Sequence, residues 1–113
     1  MKYINVDLDK TAYIDIGTQY DKKALTINFI NIDEDYDTYI FYRQGADDYG
    51  NTELLDNYQF IVTSPLTDYS GDVEAQLITM DEFGEEYIKM SKPFIMHLNE
   101  SVWSSEVEVD ENN

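Results

Sequence analysis

The chain contains no cysteine. That excludes a disulfide framework, a cysteine zinc cluster and a thiol nucleophile. Histidine is nearly absent too: His97 stands alone among 113 residues, so no imidazole-rich metal site can be built, and a nucleophilic triad would have to use that one ring. Bases are scarce. Seven lysines and arginines face 24 aspartates and glutamates, giving a formal charge of −17 and a pI near 4.1. Such a surface repels phosphate, so neither a nucleic acid nor an anionic membrane is expected as a direct partner. No apolar run is long enough to span a bilayer. After Met1-Lys2-Tyr3 the chain moves straight into alternating residues, without the apolar core of a signal peptide. Synthesis in a cytoplasm without secretion by a signal peptide is the expectation.

What remains is the composition of a folded domain. Hydrophobic residues make up 42% and aromatics 14%, and ten residues are tyrosine. This length fits one domain, which would bury roughly two-thirds of its unfolded surface. The period is two almost everywhere. "KYINVDL", "TAYIDIG", "ALTINFINI", "TYIFYR", "YQFIV", "DVEAQLITM", "EYIKM" and "FIMHL" read as strands, separated by turn clusters such as "QGADDYGN" and "LTDYSG". Short strands about ten residues apart indicate an all-β sandwich or barrel. No window carries an amphipathic helix, and "NTELLDN" allows one helical turn at most. The expected core comprises Leu25, Ile27, Phe29, Phe41, Phe60, Val62, Val73, Leu77, Phe94 and Leu98. Residues 1–102 form the sandwich on this reading, and residues 103–113, "WSSEVEVDENN", an acidic tail or linker in which Val107 and Val109 alternate.

Candidate chemistry is thin. Asp33, Asp35 and Asp37 stand at the first, third and fifth places of a calcium loop. The sixth and twelfth places, which need Gly and Glu, hold Thr38 and Gln44. A hairpin turn is the simpler reading, and no metal is expected. Carboxylates are numerous enough to supply a glycosidase pair by chance, but nothing in their spacing selects one. His97 alternates with Met96 and Leu98 and so belongs to the polar face of its strand. The glycines are single turn residues, not a phosphate loop, and no cofactor is expected. The tyrosines carry more. Tyr36, Tyr39, Tyr42 and Tyr49 gather around one strand and its loop, and Trp103 follows the last strand. Such side chains suit interfaces and sugars, and also half-buried strand positions. These five are the candidate binding residues; no catalytic residue is assigned.

Several segments taken in order carry a resemblance: "IDIGTQYDKKALTINFINI", "YIFYRQGADDYGNTELLDNYQFIVTSPLTDYSGDVEAQLITMD" and "MSKPFIMHLNESV". Tyr20-Asp21 precedes a strand. Pro65-Leu66-Thr67 and Gly71 form a corner that feeds Val73 and Gln76-Leu77. Ser91, Phe94, Leu98 and Ser101-Val102 close the pattern. Over about residues 14 to 102 this resembles the N-terminal immunoglobulin-like domain of phage virion proteins, a family of upper-baseplate, head-fibre and minor structural proteins. The resemblance implies an antiparallel immunoglobulin-like β-sandwich of about seven or eight strands. It also implies a non-enzymatic role in baseplate, tail or head-fibre attachment, location in the virion, other virion proteins as partners, and a homo-oligomer, trimeric in a fibre. The motifs are structural and speak for fold before role.

Two further functions fit the composition. A chain this acidic suits an inhibitor that mimics nucleic acid and blocks a defence nuclease; carboxylates clustered on one face would mark it. A sugar-binding sandwich would use Tyr39, Tyr42, Tyr49 or Trp103.

Overall fold

The computed structural model describes residues 2–21, 25–32, 36–45, 49–63, 65–81 and 86–102. These contain nine strands: β1 (Lys2–Val6), β2 (Tyr13–Thr18), β3 (Leu25–Phe29), β4 (Asp37–Gln44), β5 (Asn51–Leu54), β6 (Gln59–Val62), β7 (Gly71–Met80), β8 (Tyr87–Met90) and β9 (Phe94–Asn99). A small sheet has the order β1-β3-β6 and a larger one the order β2-β9-β7-β4-β5. On one side of β7, β9 pairs with Gly71–Ala75 and β8 with Ile78–Met80, while β4 lines the other side.

Alternation drives the packing. Ile27, Phe29, Phe60, Val62 and Val6 point inward from the small sheet. Ile14, Ile16, Ile40, Val73, Ala75, Leu77, Phe94, Met96 and Leu98 point inward from the large one. The rings of Phe29 and Phe94 meet edge-on across the gap, 5.8 Å between centroids. One polar pair shares this interior: Thr38 and Thr79, opposite each other in register, hold their hydroxyls 3.4 Å apart. Eight of the ten expected core residues are buried, and Leu25 packs half-buried against them. Phe41 does not belong to the core. Every residue from Thr38 to Tyr42 suits a strand, so propensity leaves the phase of β4 open. Thr38 and Ile40 take the inner face, and Phe41 turns outward.

Two further expectations change. The sheets are mixed, not wholly antiparallel: β1 runs parallel to β3, and β2 parallel to β9. Parallel neighbours need a crossover, and here β2, lying in the opposite sheet, returns the chain between β1 and β3. The stretch "NTELLDN" holds no helical turn. Asn51–Leu54 pairs with β4 as the edge strand β5, and Leu55 donates its N–H to the Thr38 carbonyl at 2.9 Å.

The last of the three passages from the small sheet to the large, between β6 and β7, is a tight corner. After β6, Pro65 leads a single 3₁₀ turn, Leu66–Asp68, that buries Leu66 and Thr67. Its carbonyls each accept a hydrogen bond from elsewhere in the chain, which the buried Leu66 and Thr67 acceptors require. Gln44 Nε2 donates to Leu66 at 2.9 Å, the Tyr20 N–H to Thr67 at 2.7 Å and Gln19 Nε2 to Asp68 at 3.0 Å. Tyr20-Asp21 and Pro65-Leu66-Thr67, distant in sequence, therefore meet. Gly71, at φ 109°, bends the chain into β7 with a conformation side chains resist. Asp68 and Tyr69 are the exposed tip of this corner.

Candidate protein-interaction face

With the inner faces consumed by the core, function has to be sought on the outside. The outer face of the large sheet can be read row by row from the register. The row at Asp72 is Asp15–His97–Asp72. The next is Tyr13–Ile95–Glu74–Arg43. Gln76–Phe41–Thr52 follows, then Met90–Ile78–Tyr39–Leu54, and last Met80–Asp37. The face thus changes character along its length, from charged at the start of β7 to apolar towards its end.

The charged half is held internally. His97 Nδ1 lies 2.7 Å from Asp72 Oδ1, and its ring stacks on Tyr13 at 5.6 Å. Arg43 grips Glu74 with Nε and Nη2 at 3.0 and 2.7 Å. Asp15 turns along its own edge strand, accepting the Gly17 N–H at 3.0 Å and the Asn99 amide at 3.1 and 3.2 Å. Among the described residues no three of these side-chain types come together closely enough to hold a metal ion.

The Gly17 N–H, then the Asn99 amide, hold the Asp15 carboxyl below its ordinary pKa of 3.8. A carboxylate depressed in the folded state contributes stability that is fully present above that ordinary value and is lost as pH falls through the folded midpoint. Asn99→Ala should therefore raise the Asp15 midpoint, but only part of the way, because the larger Gly17 contribution survives. Carboxyl-carbon NMR titration reads this directly. An unchanged midpoint in Asn99→Ala would remove the amide from the account.

The apolar half has no such partners. Leu54 is 51% exposed, Ile88 49% and Met90 44%. Together with half-buried Ile78, Tyr39, Phe41 and Met80 they present a continuous hydrocarbon surface to solvent. Isolated exposed apolar residues are ordinary; a contiguous row across four strands is the kind of patch that marks a contact. The small sheet's outer face offers less: exposed Tyr3 and Ile61 flank Thr26, which is itself buried, beside the polar row Asn5, Asn28 and Gln59.

The five candidate binding residues separate. Tyr39 sits in the middle of the apolar row. Tyr42 projects from the other face of the same strand and stacks obliquely on Phe60 at 5.4 Å. Tyr49 is fully exposed in the β4–β5 connection, and Tyr36, partly exposed, receives the Tyr58 hydroxyl on its carbonyl at 3.3 Å. Trp103 lies outside the described residues, as do Asp33, Asp35, Val107 and Val109. Sequence reasoning missed Ile78, Met80, Leu54, Ile88 and Met90. The available signal was "LITM" and "TYIFYR", where consecutive apolar residues must load both faces of a strand.

A cleft of about 420 Å³ lies on the flank between the edges of β1 and β2, with Lys2, Asp15, Asp21 and Thr67 over Ile4 and Ile16. Its carboxylates are engaged nearby, Asp21 Oδ2 by the Thr18 N–H at 2.9 Å, so it offers no convergent set of free polar groups. The described carboxylates do not gather on one face. Asp15, Asp37, Asp72 and Glu74 lie on the outer face, and Asp7, Asp9, Asp21, Asp56 and Asp68 in turns.

No protein-family model matches the chain, and no curated protein sequence matches it. Among solved structures it is similar to the N-terminal domain of phage TP901-1 ORF48, with a TM-score of 0.50 at 10% identity, over 87% of this chain and 97% of that one. At that identity the likeness is one of fold.

Proposed function

We propose that this domain is a non-enzymatic structural module of a phage virion, of the immunoglobulin-like kind, that attaches one virion protein to another in a baseplate, tail or head fibre. The observation that carries the reading is the end-to-end fold likeness to the N-terminal domain of phage TP901-1 ORF48, which spans nearly the whole of both chains. It is supported by the corner where Tyr20-Asp21 meets Pro65-Leu66-Thr67, the motifs on which the family resemblance rests. The scatter of described carboxylates suits solubility better than a copied phosphate ladder, and the separation of Tyr39 from Tyr42 onto opposite faces does not favour a shared sugar platform.

Mass spectrometry of density-purified particles of the encoding phage tests it. The protein should be present at a fixed copy number per particle and should survive high-salt washing. Finding it only in the infected-cell lysate, and never in particles, would reject the virion role.

A further inference from the structure

We propose that the apolar half of the large sheet's outer face docks a different protein, one whose contact area has an aliphatic centre and a margin of lysine and arginine. The inference deepens the virion reading and rests on it for the partner's source, while the partner's chemistry follows from this face. The row Met90–Ile78–Tyr39–Leu54 crosses four strands, about 15 Å at ordinary strand spacing. Ile88, Phe41 and Met80 widen it. This supplies the dry centre of a contact.

The margin supplies the sign. Exposed Asp37 borders the row opposite Met80, and Asp72 and Asp15, each already hydrogen-bonded on its own strand or to a neighbouring one, lie further along the same face. Arg43 is the lone Lys or Arg among these rows, where it and Glu74 balance each other at 2.7 Å, and exposed Lys89, between Ile88 and Met90, pairs with Thr79 on the other phase of β8. A specific interface buries about 800 Å² on each side, well beyond one row of side chains, so the margin must also touch the partner. A second copy of this chain would set acid against acid, each copy carrying −17 overall. A basic margin turns the same carboxylates into attraction and speeds encounter.

The probe is a synthetic amphipathic peptide with a leucine face flanked by lysines. A matched peptide with glutamate in place of lysine is the control. Titrated into the labelled protein, the lysine peptide should shift the amide signals of Tyr39, Leu54, Ile78 and Met90, and its binding should weaken with salt. The double variant Tyr39→Ser/Leu54→Ser should lose at least about tenfold in affinity while melting at or near the wild-type temperature, because both residues lie outside the core. The glutamate peptide should not bind. Shifts scattered over the acidic turns at Asp9, Asp56 and Asp68 would overturn the proposal. So would an affinity unchanged in the double variant, equal binding of the glutamate peptide, or a wild-type dimer in light scattering that the double variant abolishes. No particle enters this test, so its failure leaves the virion reading standing, and absence from particles leaves this face standing.

Discussion

Phe60→Ala is expected to cost about 3–5 kcal/mol of folding stability. Phe60 is 2% exposed, sits opposite Ile27 in the small sheet and meets Tyr42 of the large sheet at 5.4 Å. Truncation removes both the burial of a large ring and a contact that ties the two sheets together, and the neighbouring strands can close only part of the space. A domain of about this size loses roughly 4–8 °C of Tm per kcal/mol, so the variant should melt at least about 12 °C lower. Urea unfolding should show the loss in the midpoint, with the slope unchanged. Phe41→Ala is the companion measurement. Phe41 lies on the outer face, half-covered, and its removal should cost well under half as much. If Phe41→Ala were the more damaging of the two, the strand phases described above would be inverted.

Gly50→Ala should be the second severe change, at roughly 2–5 kcal/mol. Two independent physical costs combine there. Gly50 adopts φ 99°, which an L side chain resists, and a Cβ on it would overlap the Phe41 ring. The two can be separated. In the double variant Gly50→Ala/Phe41→Ala the overlap is gone and only the backbone cost remains, so the coupling between the two changes should be favourable by about 1–3 kcal/mol. Strict additivity in a double-mutant cycle would mean that the ring does not cover Gly50.

The fold class and most of the core were legible because alternation is enforced by burial. A strand that faces a core must place its apolar residues two apart, as β3, β6, β7 and β9 do. Where both phases were equally apolar, as at Ile40 and Phe41, periodicity had nothing to choose with, and the choice fell to packing against the Phe41–Gly50 contact and the Thr38–Thr79 pair. Strand direction was not legible at all. The pairing of β1 with β3 and of β2 with β9 joins residues through the opposite sheet or across nearly the whole chain, and a local pattern contains no record of such partners. The edge strand β5 was hidden for a related reason: all four of its residues are exposed, so nothing in Asn51–Leu54 alternates with burial.

The candidate face was half legible. Tyr39 stood out as a tyrosine near others, but grouping it with Tyr42 treated neighbours in sequence as neighbours in space, which a strand forbids. Its spatial neighbours are Ile78 and Leu54, set by register. The corner was read more fully. Pro65, Gly71 and the inward run Val73, Ala75 and Leu77 carry local conformational demands that a sequence displays, whereas the amides of Gln19 and Gln44 that hold the turn come from distant segments, the turn after β2 and the end of β4.

The inner faces of this sandwich make the fold, and the outer face of its large sheet is the proposed contact. Photo-crosslinking in assembled particles tests that most directly, with p-benzoylphenylalanine placed at position 39 in one preparation and at position 61, on the outer face of the small sheet, in another. The expected result is a covalent adduct from position 39 to a different virion protein, at a peptide bearing lysine or arginine beside aliphatic residues, and none from position 61. Adducts from position 61 alone, or from position 39 only to another copy of this chain, would contradict it.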